Sequence, residues 1–336
     1  MSGARVSVVI ASDRVADLLP VCLESLVRQR GAADFEVLVA SSSPPAPMEA
    51  DSISPIWIEA SDRNPARRRN LAARHASGEI LAFLDDDAEA EPGWLAAGAA
   101  ALERCDIAGG PDVLREGAPL AERLSDLLLA TPGIGSGVPA HERRPRAGAV
   151  RSPHDLALCN LFARRRTFDT VNGFDEALGY VSEDTDFIRR AMEAGARVEL
   201  DPAIRVRHRR RSFPRAYLAQ RWRYRLKTGR LLVERPGLHA RGRIAVFLGA
   251  GFLLTSSAAF FGPAVIAPAL AAYAAATWIL SFPIWRRDPV LFPFVPFAFA
   301  LHHATYFAAL LAGMAAGTAG LLRAPRSGPA PTRSRS

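Results

Sequence analysis

Three consecutive aspartates, Asp85, Asp86 and Asp87, follow the apolar run "EILAFL" at 79–84. Three carboxylates at one point make a strongly negative spot. A divalent hard cation with oxygen ligands would relieve it and could in turn bridge the oxygens of a diphosphate. The alternative is an exposed acidic turn, the usual fate of a short charge run. A second acidic cluster, "SEDTD", runs from Ser182 to Asp186. Ser182 has the character of a helix N-cap, and acids in a first helical turn are stabilised by the dipole. The same field would keep Asp184 ionised, as a general base for a hydroxyl must be. His208, in "RVRHRRRS", is either a surface residue among arginines or the imidazole that completes a metal site begun by carboxylates. Arg67 to Asn70, "RRRN", offers planar guanidinium forks suited to phosphate oxygens, or simply an exposed helix face.

The elements around these residues alternate. "RVSVVIAS" (5–12), "FEVLVASSS" (35–43), "PIWIEAS" (55–61) and "EILAFL" read as strands. Between them, 15–29 has helical spacing through Leu19, Cys22, Leu23, Leu26 and Val27. Residues 64–77 read as a helix entered through Asn64-Pro65 and stopped by Gly78. "PGWLAAGAAALER" is the next helix, and 114–155 is a long loop, rich in Pro, Gly and Arg, around one short helix. The chain then restarts at "LALCNLFARRR", and "SEDTDFIRRAMEAGARVEL" reads as helix then strand, with "PAIRVRHR" closing the domain. Alternating strands and helices imply an α/β fold with a mostly parallel sheet covered on both faces. In such sheets ligands bind beyond the carboxyl ends of the strands, where the aspartates fall.

Composition divides the 336-residue chain into three. Residues 201–243 hold 14 Lys/Arg against Asp201 and Glu234, a net of +12. With the overall +8 and the smaller basic segments at 286–288 and from 323, residues 1–200 are left at −9. Residues 244–284 and 289–322 contain no Asp, Glu, Lys or Arg. A span needs about 20 apolar residues, so the first stretch fits two with a turn near 260–263, and the second fits one more. Prolines 289, 293 and 296 would suit a re-entrant or interfacial start to the second stretch, and three spans would place the arginine-bearing tail outside, against the positive-inside rule. The basic belt is then a collar against lipid headgroups, which leaves nucleic acid a minor reading. Within it Leu218, Trp222, Leu226 and Val233 lie near one helical face, the pattern of an interfacial helix. Cys22, Cys105 and Cys159 have no C-x-x-C spacing, which suits a reducing compartment. The start "ARVSVVIAS" lacks the features of a signal peptide, so the front domain is expected in the cytosol.

In this order, the R-N helix, "FLDDDAEAEPGWL", "NGFDEALG", "SEDTDFIRRAMEAGARV" and "VRH" resemble the family 2 glycosyltransferases over roughly residues 5–210. The resemblance implies a GT-A fold over 1–212, and composition adds a basic juxtamembrane segment at 213–243, about three transmembrane helices within 244–322 and a disordered tail at 323–336. The resemblance also implies a nucleotide-diphosphate sugar donor, a divalent metal (Mn²⁺ or Mg²⁺) and inversion at the anomeric carbon. By motif, Asp87 would hold the metal, Asp85 the ribose or the metal, and His208 the metal or the diphosphate. Asp86, in the turn between the two, is counted on the donor side. Asp184 would deprotonate the acceptor hydroxyl, with Glu183 beside it, and Arg69 and Asn70 match the R-N pair on the donor side. The apolar C-terminus is similar to that of members acting on lipid-linked or exported glycans, which implies a multi-pass bacterial inner-membrane protein with a lipid-linked or cell-envelope glycan acceptor. A polyprenyl phosphate is the next acceptor, and a non-catalytic subunit that keeps the fold is the rival reading. Family members usually start "P-T-x-N" after the first strand, where this chain has "ASDR" (11–14). They usually carry an aspartate that reads the base at the end of the second strand, where this chain has "ASSSPP" (40–45), leaving Ser41 or Ser42 to take part of that role. The Q-x-x-R-W motif of processive synthases is absent, with Leu218 in place of Gln, which favours transfer of a single sugar.

Overall fold

The strands β1 (Val6–Ala11), β2 (Phe35–Ser41), β3 (Ile56–Glu59) and β4 (Ile80–Asp85) form where β-branched and aromatic residues cluster. They pair in parallel in the order β3-β2-β1-β4. The structure is a computed structural model that describes residues 5–13, 15–30, 34–45, 53–132, 134–135, 138–142, 145–235 and 262–323. The expected first span within 244–261, the end of the basic belt at 236–243 and the tail from 324 lie outside the described residues.

The sheet continues through β9 (Asn160–Arg164), β6 (Ile107–Gly109), β10 (Val198–Leu200) and β8 (Gly148–Ala149). It is not uniformly parallel: β9 runs antiparallel to both β4 and β6, and β8 antiparallel to β10. A second sheet, β5 (Ala88–Ala90), β11 (Val206–His208) and β7 (Asp112–Leu114), lies off the first, with β11 in the centre.

The pleat sends alternate residues to opposite faces. On one face Val6, Val8, Ile10, Ala82 and Leu84 pack with α1 (Leu19–Val27) and α3 (Trp94–Ala101). On the other Val9, Leu38, Leu81 and Phe83 pack with α2 (Pro65–His75) and α6 (Glu183–Glu193). There Phe83, Phe168, Phe174 and Phe187 form a ring cluster with centroids 5.0–5.6 Å apart. Each such buried ring contributes about 1.5–3 kcal/mol. Phe168 comes from α5 (Arg165–Thr170). The loop of 114–155 contains α4 (Leu120–Ala130), a 3-10 turn at Pro139–His141 and the edge strand β8.

Asn64 caps α2 as expected, accepting from the Arg67 N–H. Gly78 does not stop the helix, since the chain already leaves it extended at Ala76. Gly78 is there for a close approach, because a Cβ would lie 2.6 Å from the Arg5 carbonyl oxygen.

The chain divides into two units. One comprises Met1–Tyr217 with Ala267–Ala300, the other Leu218–Ile266 with Leu301–Ser336. Among the described residues, two stretches, Ile266–Trp285 and Pro289–Leu322, are long and apolar enough to cross a membrane by length and composition. The first is helix α8 (Ile266–Trp285). The second opens as a 3-10 turn at Pro289–Phe294, where the prolines stand, and continues as α9 (Val295–Arg323). The basic belt supplies α7 (Arg215–Glu234).

Candidate active site

Asp85 ends β4 in register with Ala11 at the carboxyl end of β1. The chain turns at once into β5, and β5 pairs antiparallel with β11 so that Ala88 stands opposite His208. That pairing brings the imidazole to Asp87, with Nε2 2.8 Å from Oδ1. Oxygens of Asp85 and Asp87 and a ring nitrogen of His208 lie within 4.8 Å of one another. Two carboxylates and one imidazole, none fully buried, are a donor set that fits a divalent cation of the Mn²⁺ or Mg²⁺ type. Asp86 points elsewhere: its Oδ2 accepts from the Ser12 hydroxyl at 2.6 Å, which pins the turn to the end of β1.

His208 is held from behind. Its Nδ1 lies 3.3 Å from Asp112 Oδ2 on β7. Arg210 donates to Asp112 Oδ2 at 2.9 Å and to Asp126 Oδ1 on α4 at 3.2 Å, and His141 lies 2.7 Å from Asp112 Oδ1. Arg210, Asp112 and Asp126 are all buried. Burial works against the Asp112 charge, yet Arg210 and His141 hold the carboxyl well below its ordinary range. Burial likewise opposes a charged His208, and Asp87 and Asp112 outweigh it, lifting the imidazole to about 10. Asp112, Cys159 and His208 also offer donor atoms within 4.8 Å of one another. Both Asp112 oxygens are already engaged by Arg210 and His141, so this cluster supports His208 rather than forming a second centre.

The other acidic cluster sits at the start of α6. Ser182 takes the N-cap position but in a left-handed conformation (φ 68°) and without a side-chain capping bond. A non-glycine residue held there carries roughly 1–3 kcal/mol of strain, a cost found at functional sites. Asp186 is spent on Arg189 and Arg190, at 2.8 and 2.7 Å. Asp184 is half-buried and accepts the Thr185 N–H at 2.7 Å. Glu183 is buried, and burial, then the neighbouring Asp184, push its carboxyl up to about 8.

Arg69, on α2, joins the two clusters. Its guanidinium donates to Asp85 at 2.7 Å and to Glu183 at 3.3 Å. Asn70 does not share that position. Its amide donates to the Phe174 carbonyl at 2.8 Å and accepts the Phe174 N–H at 2.9 Å, clamping the loop at Asn172–Glu176. Ser41 is buried, donating to the Ser43 carbonyl at 2.6 Å and accepting from Trp57 Nε1 at 3.2 Å, whereas Ser42 is exposed beside it.

Two contributors have roles that residue type and spacing did not indicate. Arg68 is buried among backbone oxygens of Ser12 (2.6 Å), Asp62 (2.6 Å) and Ala60 (3.1 Å), and pairs with Asp13. It ties the segments after β1 and β3 together. Asp112, in "GGPDV", reads as a turn residue until Arg210, 98 positions on, is folded against it.

The carboxyl edge of the sheet thus places a cation-type donor set one guanidinium away from a carboxylate pair. The sequence matches the family described as "Glycosyl transferase family 2" over residues 7–134 and "Glycosyl transferase family group 2" over residues 80–312. The second match spans more than half of the chain, and the chain belongs to the family 2 glycosyltransferases. It is 26% identical over 234 residues to an O-antigen biosynthesis protein, RfbC, of Myxococcus xanthus, covering 63% of this chain and 18% of that protein. It is 26% identical over 214 residues to a pre-mycofactocin glycosyltransferase of Mycobacterium tuberculosis, covering 60% of this chain and 43% of that protein. The chain thus spans less than half the length of either relative. The mannosyltransferase PcManGT of Pyrobaculum calidifontis, solved with GDP-Man and Mn²⁺, superposes with a TM-score of 0.53 at 20% identity, over 94% of this chain and 87% of that one. That likeness confirms the GT-A fold.

Proposed function

We propose that this chain moves one sugar from a nucleotide-diphosphate sugar to a lipid-linked or cell-envelope glycan acceptor at a bacterial plasma membrane, with inversion at the anomeric carbon. Residues 1–212 form the cytosolic catalytic part, and the apolar C-terminal helices anchor it. The observation that carries this reading is the Arg69 bridge between Asp85 and Glu183, which supports treating the aspartates after β4 and the carboxylates at the start of α6 as one centre.

Asp85, Asp87 and His208 would hold a divalent cation, whose charge would stabilise the departing diphosphate. Asp184 takes the proton of the acceptor hydroxyl as that oxygen forms its bond to the sugar C1 and the bond from C1 to the diphosphate oxygen breaks. Glu183, its carboxyl pushed up to about 8, stays protonated beside it at neutral pH. Arg69 carries a buried Nε without a partner among the described residues, a donor left for an anionic substrate. Ser42, exposed where Ser41 is buried, is the hydroxyl at the end of β2 open to the nucleotide.

The full chain in detergent, titrated with a panel of nucleotide-diphosphate sugars, is expected to bind at least one in the presence of Mn²⁺ or Mg²⁺ and to release it with EDTA. Binding to none of them would reduce the chain to a subunit that keeps the fold without the activity.

A further inference from the structure

Helix α7 carries Arg221, Arg223, Arg225, Lys227 and Arg230 within three turns. It packs against α9 backbone to backbone. A Cβ on Gly229 would fall 2.2 Å from the Leu310 carbonyl oxygen, and one on Gly313 would fall 2.1 Å from that of Leu226. Gly317 continues the contact, with the Arg230 oxygen 3.0 Å from a Cβ built there. Small residues at these positions are what allow so close a contact. The contact advances in the same direction along both helices. The Arg225 guanidinium lies over the Tyr306 ring at 4.3 Å, Leu226 and Gly229 meet Leu310 and Gly313, and Arg230 and Val233 meet Gly317.

Two helices running side by side share one depth. A helix with five cations in three turns does not cross a hydrocarbon core, because Lys and Arg at mid-bilayer are among the costliest placements. The stretch of α9 laid along α7, from Tyr306 to Gly317, is therefore outside the core as well. What remains of α9 on either side is 11 residues (295–305) and six (318–323), about 16 and 9 Å at 1.5 Å per residue. Neither crosses a core of about 30 Å. The pair exposes Trp222, Leu226, Leu311, Leu321 and Leu322 together with Arg223 and Arg230, apolar and cationic side chains on one unit. That mixture fits the headgroup boundary of an anionic bilayer.

We infer that α9 does not span the membrane, although it is long enough, and that α7 and α9 form a glycine-packed pair lying on the anionic lipid surface. The positions before and after α9 then face one side of the bilayer. Asp288, just ahead of the 3-10 turn, pairs with Arg123 of α4 at 3.3 Å, which marks that side as the one holding the catalytic fold. The arginines from Arg323 onward stay on it too, in keeping with the positive-inside rule.

The inference rests on the membrane reading above, and the two are tested apart. Arg287→Cys and Ser327→Cys are made singly in the full chain and exposed to a membrane-impermeant maleimide in spheroplasts and in inverted vesicles. The parent, whose Cys22, Cys105 and Cys159 are buried, is the blank. Both variants are expected to label in inverted vesicles and not in spheroplasts. Opposite-side labelling in a membrane-bound chain overturns the inference and leaves the membrane reading intact. A chain that fractionates as soluble overturns both. In liposomes of anionic lipid, a bimane on Leu311→Cys is expected to be quenched most by spin labels near the headgroup. Strongest quenching from the acyl-chain end, or none at any depth, contradicts an interfacial α9.

Discussion

Asp112 and Glu183 are both buried carboxyls, and their surroundings treat them in opposite ways. Asp112 is met by Arg210 and His141 and stays charged far below its ordinary range. Glu183 faces a single shared guanidinium and a second carboxylate, and is pushed up to about 8. The first arrangement closes its charge account locally and fixes the His208 ring. The second leaves charge unbalanced beside Asp184, the base proposed above. On the proposed function, matched charges build the scaffold and mismatched charges serve the chemistry.

The contrast can be broken at the matched end by Arg210→Met, which leaves Asp112 and Asp126 buried without their cation. A destabilisation of about 3–5 kcal/mol is expected from denaturation of the detergent-solubilised protein. A loss within error of a surface arginine variant would mean the network is not structural. At the mismatched end, Glu183→Gln tests the raised carboxyl through pH. Below about 4.5 both the folded and the unfolded wild type are protonated, so wild type and variant differ least. Between there and about 8 the unfolded chain sheds a proton that the folded chain keeps. Wild type should therefore lose stability relative to the variant, by up to about 1.4 kcal/mol per pH unit, and level off above. Parallel melting curves from pH 5 to 9 would show that Glu183 titrates normally.

Asp112→Asn removes the anion behind His208 while keeping an acceptor there. Metal affinity should fall about 10- to 100-fold by titration calorimetry, the usual cost of losing such a support. Unchanged affinity would detach Asp112 from the site. The smallest effect is expected at Ser182→Gly, where relief of the left-handed strain should stabilise by about 1 kcal/mol. A lower melting temperature would show that the Ser182 side chain contributes more than its backbone costs.

Much of this was readable from residue order. The apolar run before Asp85 made a strand end, and the strand end made a carboxyl-edge site. The direction of β9 was not readable, because "NLFAR" is equally buried either way and its pairing with β4 and β6 is decided by partners far along the chain. Asp112 and Arg210 were opaque for the same reason: each looks ordinary alone, and only folding sets them 2.9 Å apart. Asn70 matched a motif, yet its amide serves the Phe174 backbone, a role that depends on loop geometry rather than residue type. The spacing of Leu218, Trp222, Leu226 and Val233 predicts an interfacial helix for Arg-rich α7. Trp222 and Leu226 do stay exposed, while the face through Gly229 is taken by α9, a contact that no periodicity announces.

The central claim is that Asp184 is the base of a sugar transfer whose donor is held elsewhere in the site. Asp184→Asn in the full chain, assayed with the donor that the wild type binds, separates the two. Transfer should fall by about 10²- to 10⁴-fold while donor affinity in the presence of metal stays within a few-fold of wild type. Transfer at an undiminished rate, or donor affinity lost in step with it, would contradict the assignment.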